Sequence, residues 1–250
     1  MKVSVAIPVY NSENSIGRVV DELVKTLTQY YELEIVLVND CSPDNSEKVC
    51  IDIYGKYPHI VKFYSLAKNV GEHNAVMAAL NHTTGDYVVI MDDDFQNPIS
   101  EVVKLFNYIA ENQYDVVYTY YEKKQHHFFR NLGSKFNDRV ANVMLNKPKD
   151  LYLSSFKVLN KFIVGEIIKY DLPFPYIDGL ILRTTANIGK LQVLHQKREE
   201  GKSGYTLRKL VRLWLNMFIN FSILPLRVAV IAGMIFAVLG FGLGIYTVID

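Results

Sequence analysis

Three adjacent carboxylates and an amide, in Asp92-Asp93-Asp94-Phe95-Gln96, follow directly on the apolar run Tyr87-Val88-Val89-Ile90-Met91. A short run of mostly β-branched residues reads as a strand buried on both faces. Acids at the end of such a strand repel one another and lose water, an arrangement that a bound cation neutralises. Side chains alternate along an extended chain, so Asp92, Asp94 and Gln96 are expected on one side and Asp93 and Phe95 on the other. Two carboxylates and one amide oxygen are hard ligands suited to Mg²⁺ or Mn²⁺, ions that keep coordination positions for phosphate oxygens. The plainer alternative is an acidic, solvated turn before Asn97-Pro98.

The elements that must position this stretch alternate. Strands are expected at 3–9, 34–38, 61–66, 87–91 and 114–118, and helices at about 15–30, from Asn45 or Ser46 as cap, at 72–82 and at 102–110. Alternation of this kind predicts an α/β fold with a mainly parallel sheet covered on both faces, whose ligands bind beyond the carboxyl ends of the strands. The polar strand ends near Tyr10, Asp40 and Asp94 should therefore gather at one edge. Pro8-Val9-Tyr10-Asn11-Ser12 contains no glycine, which excludes a Gly-x-Gly-x-x-Gly dinucleotide turn, and no phosphate-binding P-loop occurs. A nucleotide would be held by Asn and Asp side chains from loops, with its phosphates on a metal. Further on, a helix is expected at 128–143, with Arg130, Ser134 and Lys135 close together on adjoining turns, able to hold a phosphate or simply to form a solvated basic face. A strand is expected at 152–158, a helix at 161–169, a strand at 191–194, and a flexible, mostly basic loop at 197–204.

With 50% hydrophobic residues over 250, the chain can bury a real core, and a net charge of +1 excludes a strongly basic nucleic-acid binder. Two cysteines, Cys41 and Cys50, are too few for a disulfide framework or a zinc site. Met1-Lys2 leads at once into a strand, so no signal peptide is expected. From Val228 to Ile249 there is no charged residue, long enough for a transmembrane helix, and its glycines allow close helix packing and hence homo-oligomers. The sequence ends at Asp250, directly after this span, which leaves room for a chain that continues. Before it, residues 206–221 carry Arg208, Arg212, Asn216 and Asn220 every four positions among apolar neighbours, the pattern of an amphipathic interfacial helix. Cationic residues preceding the span put the globular part on the cytoplasmic side of a cell membrane. The expected organisation is a catalytic domain at 1–204, an interfacial helix at 205–224 and a membrane helix at 225–250.

Taken together, these residues resemble the family 2 glycosyltransferases of GT-A fold, and within them the polyprenyl-phosphate glycosyltransferases. The resemblance is carried by Pro8-Val9-Tyr10-Asn11, Asn39-Asp40, Asn69-Val70-Gly71, Gly85-Asp86, Asp92-x-Asp94-Phe95-Gln96-x-Pro98 and Arg198-x-x-Gly201-x-Ser203, in the family's order. It implies an inverting transfer from a nucleotide-sugar, UDP- or GDP-linked, to a polyprenyl phosphate such as undecaprenyl phosphate. It implies that Pro8, Tyr10, Asn11, Asn39, Asp40, Asn69 and Asp93 serve the nucleotide, and that Asp92, Asp94 and Gln96 hold the metal and diphosphate. Arg198 would lie near the diphosphate, and Arg130, Ser134 and Lys135 on the acceptor phosphate. Asp178 and Asp150 are the further candidate catalytic carboxylates, Asp150 standing one residue out of the family's register. Other departures are Asn39 where Asp is common, Tyr121 where an arginine is usual, and Lys157 in place of Arg.

A lipid monophosphate has a second pKa of roughly 6, so it is already a dianionic nucleophile at neutral pH and needs little help from a base. Two alternatives differ in class. A processive polysaccharide synthase usually carries a Gln-x-x-Arg-Trp element, which Val211-Arg212-Leu213-Trp214 does not match. A non-catalytic membrane scaffold is favoured only by the substitutions at Asn39, Tyr121 and Lys157.

Overall fold

Parallel strands buried on both faces need apolar side chains in both directions, and β1 (Lys2–Val9) and β2 (Glu32–Asn39) have them. The computed structural model describes residues 1–121, 148, 150–194 and 224–249. Its elements continue with α1 (Ile16–Leu27), α2 (Ser46–Lys56), β3 (Val61–Ser65), α3 (Glu72–Asn81), β4 (Tyr87–Ile90), α4 (Ile99–Asn112) and β5 (Val116–Tyr120). Then come β6 (Lys157–Asn160), α5 (Lys161–Ile167), α6 (Ile177–Thr184), β7 (Ile188–Gln192) and α7 (Leu224–Ile249). One seven-stranded sheet runs in the order β3-β2-β1-β4-β6-β5-β7. All neighbours are parallel except β6, which is antiparallel to both β4 and β5. The sheet is thus mainly parallel, as the alternation predicts.

The chain divides into two units, 1–132 with 148–203, and 133–147 with 204–250. In the first, Ile16, Val19, Val20, Leu23 and Leu27 recur at helical spacing on α1 and are fully buried together with Val3, Val5, Ile7 and Val9 of β1. Each such side chain contributes about 1.5–3 kcal/mol relative to exposure, which fixes the face that α1 presents to the sheet. On α4, Val102, Leu105, Phe106 and Ile109 join the same cluster, while α3 lies against β1 and β2.

At the amino end of the strands, Gly85 makes the turn into β4. A Cβ there would come within 2.7 Å of the Ser4 backbone nitrogen, so no larger residue fits. Its amide donates to Ser4 Oγ at 2.9 Å, and Ser4 donates in turn to the buried Glu34 at 2.6 Å. Burial works against ionising Glu34, but Lys62, Ser4 and Thr84 outweigh it and hold its carboxyl below the usual range. This polar network ties the sheet at the edge away from the acidic loop.

Several boundaries differ from the sequence expectations. The stretch 152–158 is mostly irregular and the strand is Lys157–Asn160, because Phe156, Val158 and Leu159 are the apolar residues that reach the core. Neither Asn45 nor Ser46 caps α2 through its own side chain. Asp44 does so by accepting from the Ser46 amide at 3.1 Å and the Ser46 hydroxyl at 2.6 Å. In the second unit, α7 contains the apolar stretch Ala229–Thr247, long and apolar enough to cross a membrane.

Candidate active site

The carboxyl ends of β1 to β4 and the amino end of β6 share one edge of the sheet, as their pairing requires. At the end of β2, Asn39 is buried. Its Nδ2 donates to Ser65 Oγ at 3.1 Å and its Oδ1 accepts from the Ser42 amide at 3.2 Å. An amide side chain serves both bonds at once, whereas a carboxylate has no donor of its own. Asp40 accepts from the Val70 amide at 2.8 Å through one oxygen and from the Gly71 amide at 2.9 Å through the other, while Asn69 donates to the Asp40 carbonyl at 3.1 Å. Both Asp40 oxygens therefore organise the turn that opens α3, where Gly71 takes a φ of 92°. From β1 come Pro8, half-buried, and the exposed Tyr10 and Asn11. The Asn11 amide donates to Ser42 Oγ at 3.2 Å, which brings the first two polar strand ends together.

The acidic loop departs from an extended chain. Strand β4 ends at Ile90, and Phe95 adopts a φ of 57°, uncommon for a bulky side chain, so simple alternation does not run through Gln96. Asp92 interacts with Glu72 at the start of α3, and Asp93 with Cys50 of α2. Burial, then Asp93, Asp44 and Glu47, push the Cys50 thiol up to about 12, which leaves it an inert core residue. Contacts among the described residues pin the loop. Ser155 Oγ donates to Asp92 Oδ2 at 2.8 Å, the Gln96 amide donates to Asp94 Oδ1 at 3.0 Å, and Tyr121 donates to Asn97 Oδ1 at 3.1 Å. The Arg18 guanidinium lies 5.0 Å from the centre of the Phe95 ring, a cation–π contact that holds the left-handed residue in place.

Beside the loop sits a buried charged cluster. Lys157, opposite Ile90 in the β4–β6 ladder, pairs with Asp178 of α6, and Tyr118 donates to the same Asp178 oxygen at 2.8 Å. His73 packs edge-on against Tyr176 at 5.1 Å. Burial holds its imidazole below the ordinary value, against the opposing pull of Glu72 and Asp178.

A comparison of the whole chain with known families matches residues 4–168 to glycosyl transferase family 2. The chain belongs to that family. As a family 2 glycosyltransferase it is similar to the undecaprenyl-phosphate 4-deoxy-4-formamido-L-arabinose transferase of Proteus mirabilis, 31% identical over 249 residues covering 99% of this chain and 76% of that protein. The enzyme of the same name from Klebsiella pneumoniae is likewise 31% identical, over 99% and 76%. Among solved structures, glucosyl-3-phosphoglycerate synthase from Mycobacterium tuberculosis with Mn²⁺ and UDP-glucose shares the fold. Its TM-score is 0.60 at 18% identity, over 86% of this chain and 75% of that one. Mannosyl-3-phosphoglycerate synthase from Rubrobacter xylanophilus gives 0.59 at 18% identity, over 86% and 71%.

Whether this glycosyltransferase could hold a divalent ion is answered by the chemistry of its donors. Burial first, then Glu72, Asp94 and Asp93, push the Asp92 carboxyl up to about 7 against the Ser155 hydrogen bond that lowers it. A carboxylate so crowded by negative charge is relieved by a cation, and the oxygen-only set of Asp92, Asp94 and the Gln96 amide suits Mg²⁺ or Mn²⁺. Among the described residues no group of three His, Cys, Asp or Glu side chains is arranged to hold a metal ion.

Of the sequence candidates, Pro8, Tyr10, Asn11, Asn39, Asp40, Asn69, Asp92, Asp93, Asp94 and Gln96 come to this edge. Asp178 lies beside it, in an ion pair. Asp150 is exposed and pairs with Lys190 of β7, at the far side of the sheet from β4. Arg130, Ser134, Lys135, Arg198 and the 206–221 helix lie outside the described residues. Sequence reasoning missed Ser155, Glu72 and Arg18, whose roles follow from the β4–β6 register and from the packing of α3 and α1.

Proposed function

We propose that this glycosyltransferase moves a sugar from a UDP- or GDP-sugar to undecaprenyl phosphate at the cytoplasmic face of the membrane, by an inverting, metal-dependent route. The single observation that carries the reading is the convergence of the acidic loop with the Asn39-Asp40 and Asn69-Val70-Gly71 turns at one sheet edge. The chain also holds a helix apolar enough to cross a bilayer, and it is similar over nearly its full length to transferases named for undecaprenyl phosphate.

In this reading Asp40 shapes the nucleotide pocket by holding the turn at 69–71, Tyr10, Asn11 and Asn69 line it, and the buried Asn39 supports it from beneath through Ser42 and Ser65. Asp92, Asp94 and Gln96 would hold the ion, and Asp93, next to them in the loop, would support the nucleotide end. Bound there, Mg²⁺ or Mn²⁺ neutralises the charge that develops on the leaving diphosphate. Arg198 adds a second cation to that charge. Arg130, Ser134 and Lys135 hold the acceptor phosphate in line with the sugar carbon, on the face opposite the leaving group. The dianionic acceptor needs no strong base. Accordingly Asp178, engaged by Lys157 and Tyr118, acts as a positioning group, and Asp150 takes no part in proton transfer.

The test is Asp94→Asn in the full chain. Donor binding and turnover should fall by at least about 100-fold with folding unchanged, since removing a preorganised charge contact costs this much. Full activity in the variant, or in excess chelator, would remove the metal from the account.

A further inference from the structure

Past the Ile90↔Lys157 pair, the antiparallel register of β4 and β6 continues through side chains. Asp92 lies two residues beyond Ile90 and Ser155 two residues before Lys157, so they occupy the positions that would face each other if the ladder ran on. The Ser155 hydroxyl donates to Asp92 Oδ2 at 2.8 Å. We infer that Ser155 is a positioning residue of the cation and diphosphate site: it engages one oxygen of the Asp92 carboxylate and so presents the other to the ion. The inference rests on the proposed role of Asp92 as a metal ligand.

Ser155 is suited to this because its neighbours are buried and hydrogen-bonded. Phe156 is fully buried, its carbonyl accepts from Thr119 Oγ1 at 2.7 Å and its amide donates to Ser154 Oγ at 3.2 Å. Ser154 is itself buried, 3.0 Å from the Thr119 hydroxyl. On the other side Lys157 is held by Asp178, which Tyr118 also contacts. A hydroxyl carried between two buried, hydrogen-bonded residues restrains the rotation of a carboxylate at the end of a strand, where the backbone ladder has stopped doing so. Partners of this kind, one bond behind a ligating oxygen, typically alter metal affinity by about 10–100-fold when removed.

The experiment measures Mn²⁺ binding to the full chain in detergent, from the electron paramagnetic resonance signal of free Mn²⁺, with and without UDP. It compares the native protein with Asp92→Asn, Ser155→Ala, Ser155→Val and Ser155→Thr. Ser155→Ala and Ser155→Val should weaken Mn²⁺ by about 10–100-fold, while Ser155→Thr, which restores the hydroxyl on the shape of valine, should stay within about threefold of native. The threonine and valine pair keeps the test valid if Ser155→Ala fails to fold. If Asp92→Asn weakens Mn²⁺ but the valine and threonine proteins bind alike, the role of Ser155 is overturned and the metal reading stands. If Asp92→Asn binds Mn²⁺ as the native protein does, the metal reading fails and the inference fails with it.

Discussion

Replacing Lys157 by methionine removes one half of the buried ion pair at the end of β6. Lys157 is 4% exposed and Asp178 6%, so neither charge can turn to water when its partner is lost. Tyr118 would still donate its 2.8 Å bond to Asp178, but a hydrogen bond alone does not balance a buried carboxylate. Breaking such a pair from one side costs about 3–5 kcal/mol. At about 2–4 °C per kcal/mol for a unit of this size, Lys157→Met should lower the melting temperature by about 6–20 °C. Asp178→Leu should do the same, because it strands the ammonium. The double variant Lys157→Met/Asp178→Leu leaves only the Tyr118 hydroxyl without its acceptor, a loss of about 1–3 kcal/mol, so it should be more stable than either single variant. Scanning calorimetry of the four proteins in one detergent completes the cycle. Single variants that melt within about 2 °C of the native protein, or a double variant that falls by the sum of the two, would refute the reasoning.

Three other outcomes follow from the same structure. Folded Asp92 keeps its proton up to about 7, against 3.8 for an ordinary aspartate, so between these values the folded chain holds a proton that the unfolded chain has lost. Stability of the metal-free protein should therefore decline from this group as pH rises towards neutrality, and saturating Mn²⁺ or Asp92→Asn should flatten that decline in melting curves. Arg130→Ala should raise the apparent KM for undecaprenyl phosphate by at least about tenfold, the scale of one charged hydrogen bond, while nucleotide affinity measured by calorimetry stays unchanged. Protein ending at about residue 225 should still float with anionic vesicles at low salt and sink as salt rises, since Arg208, Lys209 and Arg212 contribute roughly 1 kcal/mol each at an anionic surface.

The first half of the chain was legible because each element carries its own period. The burial of β1 and β2 on both faces, the α1 stripe and the end of β4 beside acids all follow from local patterning. What patterning does not encode is strand direction. A strand is expected at 152–158, but the element is Lys157–Asn160, and no local pattern says that it enters antiparallel between β4 and β5. Ser155 was invisible for that reason, as one of two adjacent serines between apolar residues until the register sets it opposite Asp92. Phe95 breaks the expected alternation because an aromatic residue carries no signal for a left-handed backbone, and the Arg18 contact that holds it comes from a distant helix. The occupation of both Asp40 oxygens by the amides at 70 and 71 was equally hidden, because the sequence records the acid but not the turn it organises.

The most direct test of the account is transfer itself. Purified full chain is supplied with undecaprenyl phosphate, Mn²⁺ and each of a panel of radiolabelled UDP- and GDP-sugars, and label is counted in the lipid phase. The account predicts that one donor labels the lipid, that labelling stops with chelator or with Asp94→Asn, and that the new sugar–phosphate bond has the anomeric configuration opposite to the donor. Metal-independent labelling, or a product that retains the donor's configuration, would contradict it.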